Sequence, residues 1–348
     1  MKRFFKRILI SLILLFLFLY SATWIYYRFF SKLQKENFIP SIRVQNKTTT
    51  LDWIPVHWTI EEFTDRAGMF LPIYVDTIKK PFWVQFDLGT SITDLADLSN
   101  YFPGFKQKEI LLNYKTGYQN KPRYYQGFKI RLGDSTVYQV NQIPIYDQLT
   151  PDSLQENDTM YNTKIGNIGY DFIQNRILVI DYRNSRIAVT DSLSQVFEQK
   201  VEYFERAITN QKPIFLPIKI DGKIKLLQFD NGSSAFTFWT SVDQWNQWRK
   251  PESAVDTLSG YSWGNKEYWY RSYPKVKIEF LNRDVTRQPI WAVSKPGMTE
   301  PKTFLQKIKA FTDKQFGKTT FGIIGNEYFR NDIIIIDTKS NKFGRLKN

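Results

Sequence analysis

The chain carries one unusual local pattern twice. Residues 70–91 contain Phe70-Leu71-Pro72-Ile73 and, further on, Gln85-Phe86-Asp87-Leu88-Gly89-Thr90-Ser91. Residues 215–234 contain Phe215-Leu216-Pro217-Ile218 and then Gln228-Phe229-Asp230-Asn231-Gly232-Ser233-Ser234. A second matched pair follows. Ile168-Gly169 leads through Asn175 and the apolar run Ile177–Ile180 to Asp181, and Ile324-Gly325 leads through Asn331 and Ile333–Ile336 to Asp337. This downstream pair aligns without a gap at an offset of 156 (Gly169 to Gly325), and the Asp-x-Gly pair at 143 (Asp87 to Asp230). Matches at a nearly fixed spacing mean an internal duplication of a unit of roughly 120–130 residues, which constrains the fold more than any single element does. Each copy delivers one Asp in the same local setting.

Composition removes most alternative chemistries. Cysteine is absent, so there is no disulfide framework, thiolate nucleophile or Cys-based metal site. A single histidine, His57, rules out a multi-His metal centre and leaves Ser-His-Asp catalysis only if His57 itself serves; between Val56 and Trp58 it reads as a packed or surface residue. No cofactor or metal is implied. At 348 residues with 17% aromatics, there is material for two domains with real cores.

The N-terminus reads as a membrane anchor. Residues 8–27 are 20 positions without a charge, about 30 Å of helix and so the depth of a bilayer core. Lys2, Arg3, Lys6 and Arg7 precede it, which leaves residues 1–7 as a cytoplasmic tail and exports the rest as a single-pass protein. Ser21-Ala22-Thr23 is a poor cleavage site for a signal peptide. Residues 1–35 hold seven Lys or Arg and no acid, half of the net charge of +14. The remaining excess suits a solvated surface, and no nucleic-acid motif accompanies it.

Past the anchor, 28–66 reads as a stalk or entry segment. Beyond it, β-branched and aromatic runs bounded by Gly, Asn, Asp and Pro predict strands at Phe128–Leu132, Thr136–Val140, Ile177–Ile180, Ile187–Val189, Ile214–Ile220, Ile224–Phe229, Val276–Phe280 and Ile333–Ile336. Asp221-Gly222 marks a hairpin turn. Helices are expected over Asp191–Thr209, Pro301–Lys314 and Val242–Trp248. The fold class is all-β with minor helices: a lobe at 67–190, a helical linker at 191–212 and a second lobe at 213–348.

Glycine after Asp-x permits a tight turn that leaves the carboxylate at the end of a strand. Thr90 and Ser233 follow Gly89 and Gly232 and place a hydroxyl where it could donate to each carboxylate. Two carboxyls in contact cannot both ionise easily, so they share a proton. One then takes a proton from water while the other polarises a carbonyl, a route to amide hydrolysis without His, Cys or metal.

With these residues in place, the chain resembles the pepsin- and retropepsin-like aspartic proteases. Phe86-Asp87-Leu88-Gly89-Thr90 and Phe229-Asp230-Asn231-Gly232-Ser233 are similar to that family's first motif, and Ile323-Ile324-Gly325 and Asn167-Ile168-Gly169 to its second. Asp171-Phe172 and Glu327-Tyr328 resemble the continuation of the second motif. The resemblance spans 67–346 and implies two β-barrel-like lobes with Asp87 and Asp230 as the catalytic pair, Thr90 and Ser233 as hydroxyl partners, and Gly89 and Gly232 in the turns. It also implies a flap carrying a Tyr, with Tyr114, Tyr118, Tyr124 and Tyr125 in the right region. The sequence departs from the family between Asp and Gly, where a hydroxyl residue locks the two turns together and this chain has Leu88 and Asn231.

The expected activity is that of a membrane-anchored aspartic endopeptidase acting on a peptide or protein substrate. The alternatives are an inactive module of the same fold that binds an extended peptide or envelope polymer, and a scaffold. Asn231-Gly232-Ser233 would be a glycosylation acceptor in a eukaryotic secretory route, which favours a bacterial, periplasmic setting.

Overall fold

The computed structural model describes residues 20–21, 42–44, 50–61, 63–75, 81–90, 93–96, 98, 107–109, 123–133, 136–141, 143–145, 164–204, 214–233, 235–262, 265–294 and 322–347. Within them the protein is mostly β, two-lobed, with few and short helices.

The N-terminal lobe is built on an eight-stranded sheet. Its order is Ile42–Val44, Thr136–Val140, Phe128–Leu132, Thr64–Val75, Phe82–Phe86, Lys164–Ile168 and Asp94–Leu95, with His57–Glu61 paired to Thr64–Val75. The C-terminal lobe is built on a nine-stranded sheet in which Phe238–Thr240, Gly322–Ile324, Lys223–Phe229 and Ile214–Ile220 are consecutive neighbours. The lobes place equivalent strands in equivalent positions. Lys164–Ile168 runs parallel to Phe82–Phe86 and pairs Ile168 with Phe86, while Gly322–Ile324 runs parallel to Lys223–Phe229 and pairs Ile324 with Phe229. Each of these middle strands is flanked on its other side by an antiparallel one, Asp94–Leu95 in one lobe and Phe238–Thr240 in the other.

A six-stranded sheet joins the lobes. At its centre Ile177–Asp181 pairs antiparallel with its own repeat, Ile333–Asp337, and Val179 faces Ile335. These two residues are related by the same offset of 156 that relates Gly169 to Gly325, so a local two-fold axis passes between them. All five residues of Ile177–Asp181 are buried, which explains a near-continuous apolar run rather than an alternating one. The hairpin at Asp221-Gly222 has φ of 46° and 76° at its two turn residues, the left-handed geometry that Asp-Gly tolerates.

Several expectations need correction. The segment 28–66, expected as a stalk or entry segment, contributes strands to the fold: Ile54–Pro55 pairs with Arg186 and Ile187 in the joining sheet, and His57–Glu61 belongs to the first lobe. The helix expected over Asp191–Thr209 is a single turn, Gln195–Glu198, capped by Ser194. Val196 is 67% exposed, so the apparent apolar stripe is not a buried face. The chain then enters the strand Val201–Phe204, which pairs with Lys342–Leu346. Close approach at Gly344, where a β-carbon would stand 2.5 Å from Val201 Cγ1, lets this strand dock, and that pairing outweighs a weak helical period. The helix Val242–Trp248 is present, with Ser241 as its cap and Trp245 buried. Residues 205–209 and the helix expected at Pro301–Lys314 lie outside the described residues. So does the span expected at 8–27, apart from Tyr20 and Ser21; among the described residues no helix is long and apolar enough to cross a membrane.

Candidate active site

The two Asp-x-Gly turns are built alike. In Phe82–Phe86 the buried residues Phe82, Val84 and Phe86 alternate with half-buried Trp83 and Gln85, which fixes the strand's register against the core. The strand ends where Asp87 N–H donates to Ile168 C=O at 2.9 Å; in the second lobe Asp230 N–H donates to Ile324 C=O at 3.0 Å. Each turn then closes on its own carboxylate. Gly89 N–H donates to Asp87 Oδ1 at 2.8 Å, and Gly232 N–H to Asp230 Oδ1 at 2.9 Å. The apolar-Gly motifs lie directly behind the turns. A β-carbon at Gly325 would stand 2.0 Å from Ser233 O, so only glycine lets the strand end pass there. In the first lobe Asp171 anchors the corresponding loop by accepting from Thr93 N–H and Thr93 Oγ1 at 2.7–3.0 Å.

The turns meet across the lobes. A β-carbon at Gly232 would stand 2.4 Å from Asp87 Cγ, and Gly89 is related to Asp230 in the same way. With no side chain in between, the carboxyls of Asp87 and Asp230 are hydrogen-bonded to each other. Burial, the Asp230 charge and that hydrogen bond push Asp87 up to about 8. Burial raises Asp230 too, against hydrogen bonds from Asp87, from the Ser233 hydroxyl and from backbone N–H groups that favour its ionised form. The pair therefore holds one proton well above the usual carboxylate range, and the extra hydroxyl donor biases the negative charge towards Asp230.

The supporting residues are less symmetric than the sequence suggests. Ser233 Oγ donates to Asp230 Oδ2 at 3.0 Å, as expected. Thr90 Oγ1 instead donates to the backbone carbonyl of Asp87 at 2.8 Å, so its hydroxyl stabilises the turn and not the carboxylate. Between Asp and Gly, Asn231 bonds across the lobes. Its Oδ1 accepts from Leu88 N–H at 2.5 Å, and its Nδ2 donates to Phe86 C=O at 2.8 Å. Leu88, in the other turn, is 1% exposed and packs in the core. A primary amide has both a donor and an acceptor at its tip, so one Asn grips two backbone groups. Asn326 and Tyr182, not anticipated from the sequence, hold Asn231 in turn: Asn326 Nδ2 donates to Asn231 O at 2.8 Å, and Tyr182 OH donates to Asn326 Oδ1 at 2.5 Å. Their positions directly after Gly325 and Asp181, inside the repeated motifs, are the only signal the sequence offers.

Tyr125 is fully buried and its OH accepts from Leu98 N–H, a structural role that removes it as a flap residue. Tyr124 lies on the strand Arg123–Tyr125, and Tyr114 and Tyr118 lie outside the described residues. His57 packs edge-on against Trp83 with ring centroids 4.4 Å apart. Among the described residues no three His, Asp or Glu side chains cluster as a metal site would require.

No family model and no curated protein matches this chain. Among solved structures, conglutin gamma, a basic 7S globulin from lupine seeds, is similar over 89% of this chain and 96% of its own, with 11% identity and a TM-score of 0.46. The basic 7S globulin from soybean is similar over 86% of this chain and 97% of its own, with 9% identity and a TM-score of 0.45.

Proposed function

We propose that this protein binds an extended peptide segment across the junction of its lobes and hydrolyses a peptide bond there through Asp87 and Asp230. The reciprocal fit of each carboxylate against the other turn's glycine carries this reading, because it brings the two carboxyls into contact and lets them share one proton. Ionised Asp230 takes a proton from a water, the resulting hydroxide attacks the carbonyl carbon, and the Asp87 proton passes to the carbonyl oxygen. Collapse of the tetrahedral diol breaks the C–N bond. The amine leaves with the proton that Asp230 took up, and the hydroxyl proton returns to the pair.

A second reading is favoured by one asymmetry. Leu88 supplies no hydroxyl, and the Thr90 hydroxyl is spent on the turn, so Asp87 has fewer supports than Asp230. That arrangement suits a cleft that binds peptide without cutting it. A peptide-library digest from about pH 3 to about pH 8, the range over which such a pair titrates, separates the two. Cleavage lost in both Asp87→Asn and Asp230→Asn supports hydrolysis. Binding with no cleavage at any pH overturns it in favour of the second reading.

A further inference from the structure

The strand leading to Asp87 has a second face. Phe82, Val84 and Phe86 point into the core, while Trp83 and Gln85 point the other way and are half-buried. Strand alternation places Gln85 and Asp87, two residues apart, on one face, so Gln85 lies beside the carboxylate pair on the open side of the sheet. Lys164, on the adjacent strand Lys164–Ile168, reaches the same place. Its Nζ donates to Gln85 Oε1 at 2.9 Å and lies 5.5 Å from the centre of the Phe70 ring. Asn167 is the register partner of Gln85, and its Nδ2 donates to Asp94 Oδ1 at 3.0 Å.

An ammonium in this position is costly for stability alone. An apolar side chain on a largely buried wall would fold at least as well, because the charge must be desolvated. Burial does lower the pKa of Lys164, and the nearby Asp94 and Asp87 pull it back up. Among the described residues, the charged groups facing it are these two carboxyls. Asp87 belongs to the proton-sharing pair, and burial pushes Asp94 up to about 6, so in mild acid both are protonated and the ammonium lacks a full counter-charge. The neighbouring donors and acceptors, Gln85 and Asn167, are already satisfied by Lys164 and Asp94.

We infer that Lys164 sets the specificity of the cleft: the bound peptide places an Asp or Glu side chain against the Lys164 ammonium, close to the segment that lies over Asp87 and Asp230. This rests on the reading that the cleft binds an extended peptide. A flexible ammonium is a point charge that pairs with a carboxylate of either chain length. An amide of the same shape would leave it without a counter-charge, so the site discriminates Glu from Gln.

The test uses the full-length chain carrying Asp87→Asn, which keeps that position uncharged, so that binding is read without turnover. Fluorescent peptides differing only by Glu, Gln or Lys at one position after another are titrated at about pH 5.5, where a peptide Glu is ionised. At one position Glu should bind roughly tenfold or more tighter than Gln. Lys164→Met should abolish that preference, Lys164→Arg should retain it, and Lys164→Glu should invert it towards Lys. Peptides that bind with no acidic preference, or with the same preference in Lys164→Met and Lys164→Glu, overturn this inference and leave peptide binding standing. Where Lys164→Met does not fold, Lys164→Gln takes its place, and an undiminished Glu preference in that variant overturns the inference equally. No binding of any peptide overturns both.

Discussion

Gly89 and Asp230, from different copies of the repeat, stand so close that a β-carbon on Gly89 would lie 2.5 Å from Oδ1 and 2.7 Å from Oδ2 of Asp230. The contact is too close for any side chain, and it ties the composition of one turn to the chemistry of the other. Gly89→Ala should force the second carboxylate away from the first. Overpacking of this kind costs about 1–3 kcal/mol in stability. Displacing a reacting group by about 1 Å costs roughly a hundredfold in rate. Thermal unfolding and cleavage measured on Gly89→Ala and Gly232→Ala should therefore show modest destabilisation and near-complete loss of turnover, with the two variants behaving alike. A fully active Gly89→Ala would contradict the contact.

Asn231 is expected to matter more than Leu88 for holding the lobes together. Replacing it by Leu leaves Leu88 N–H and Phe86 C=O without the partners they have now, in a buried site. Each orphaned group costs about 1–3 kcal/mol, so Asn231→Leu should lose roughly 2–6 kcal/mol in a denaturant titration. Asn326→Leu, one bond further out, should lose less. Equal stability of wild type and Asn231→Leu would remove the amide from this role.

The pair should also make stability depend on pH. Both carboxyls are raised in the folded protein, Asp87 from 3.8 to about 8. A group raised on folding contributes stability that is fully present below its unfolded pKa and is lost as pH climbs through the folded one. One proton retained by the folded state alone corresponds to a slope of about 1.4 kcal/mol per pH unit. Between about pH 4 and pH 8 the wild type should therefore lose stability, while Asp87→Asn, which keeps only the Asp230 carboxyl of the pair, should show a flatter curve. Asp87→Asn should be more stable than wild type at pH 8. Parallel curves for the two proteins would mean the pair does not hold its proton.

Much of this site is legible in the sequence because duplication leaves a matched pair for each functional part. The offset of 156 anticipates that Ile177–Asp181 and Ile333–Asp337 are equivalent, and equivalent strands about a two-fold axis pair antiparallel with Val179 opposite Ile335. The Asp-x-Gly turns are legible for the same reason. What escapes is what breaks the symmetry. Asn231 and Leu88 occupy equivalent places, yet one grips the opposite backbone and the other fills apolar space, a division that depends on contacts across the junction and not on local pattern. Val201–Phe204 escapes differently. Its neighbours are helix-compatible, and only the partner strand Lys342–Leu346, far along the chain, makes it a strand.

Thr90 and Ser233 hold equivalent positions and do different work, which makes them a sensitive probe of the pair. Ser233 Oγ donates to Asp230 Oδ2 and so favours its ionised form. Removing that donor in Ser233→Ala should raise the lower apparent pKa of the pair, moving the acid limb of any pH–rate profile upward and reducing the rate at the acid end. A hydrogen bond to a charged acceptor contributes about 1.5–3 kcal/mol, which is a shift of roughly one to two pH units. Thr90→Val removes a bond to a backbone carbonyl instead. It should cost about 0.5–1.5 kcal/mol of stability and leave the acid limb where it was. The measurement is a pair of pH–rate profiles, or pH-dependent peptide-binding curves if cleavage is absent, beside unfolding midpoints for the same variants. Identical limbs in wild type and Ser233→Ala would show that its hydroxyl does not set the charge on Asp230, and a shifted limb in Thr90→Val would show that the first turn's hydroxyl reaches its carboxylate after all.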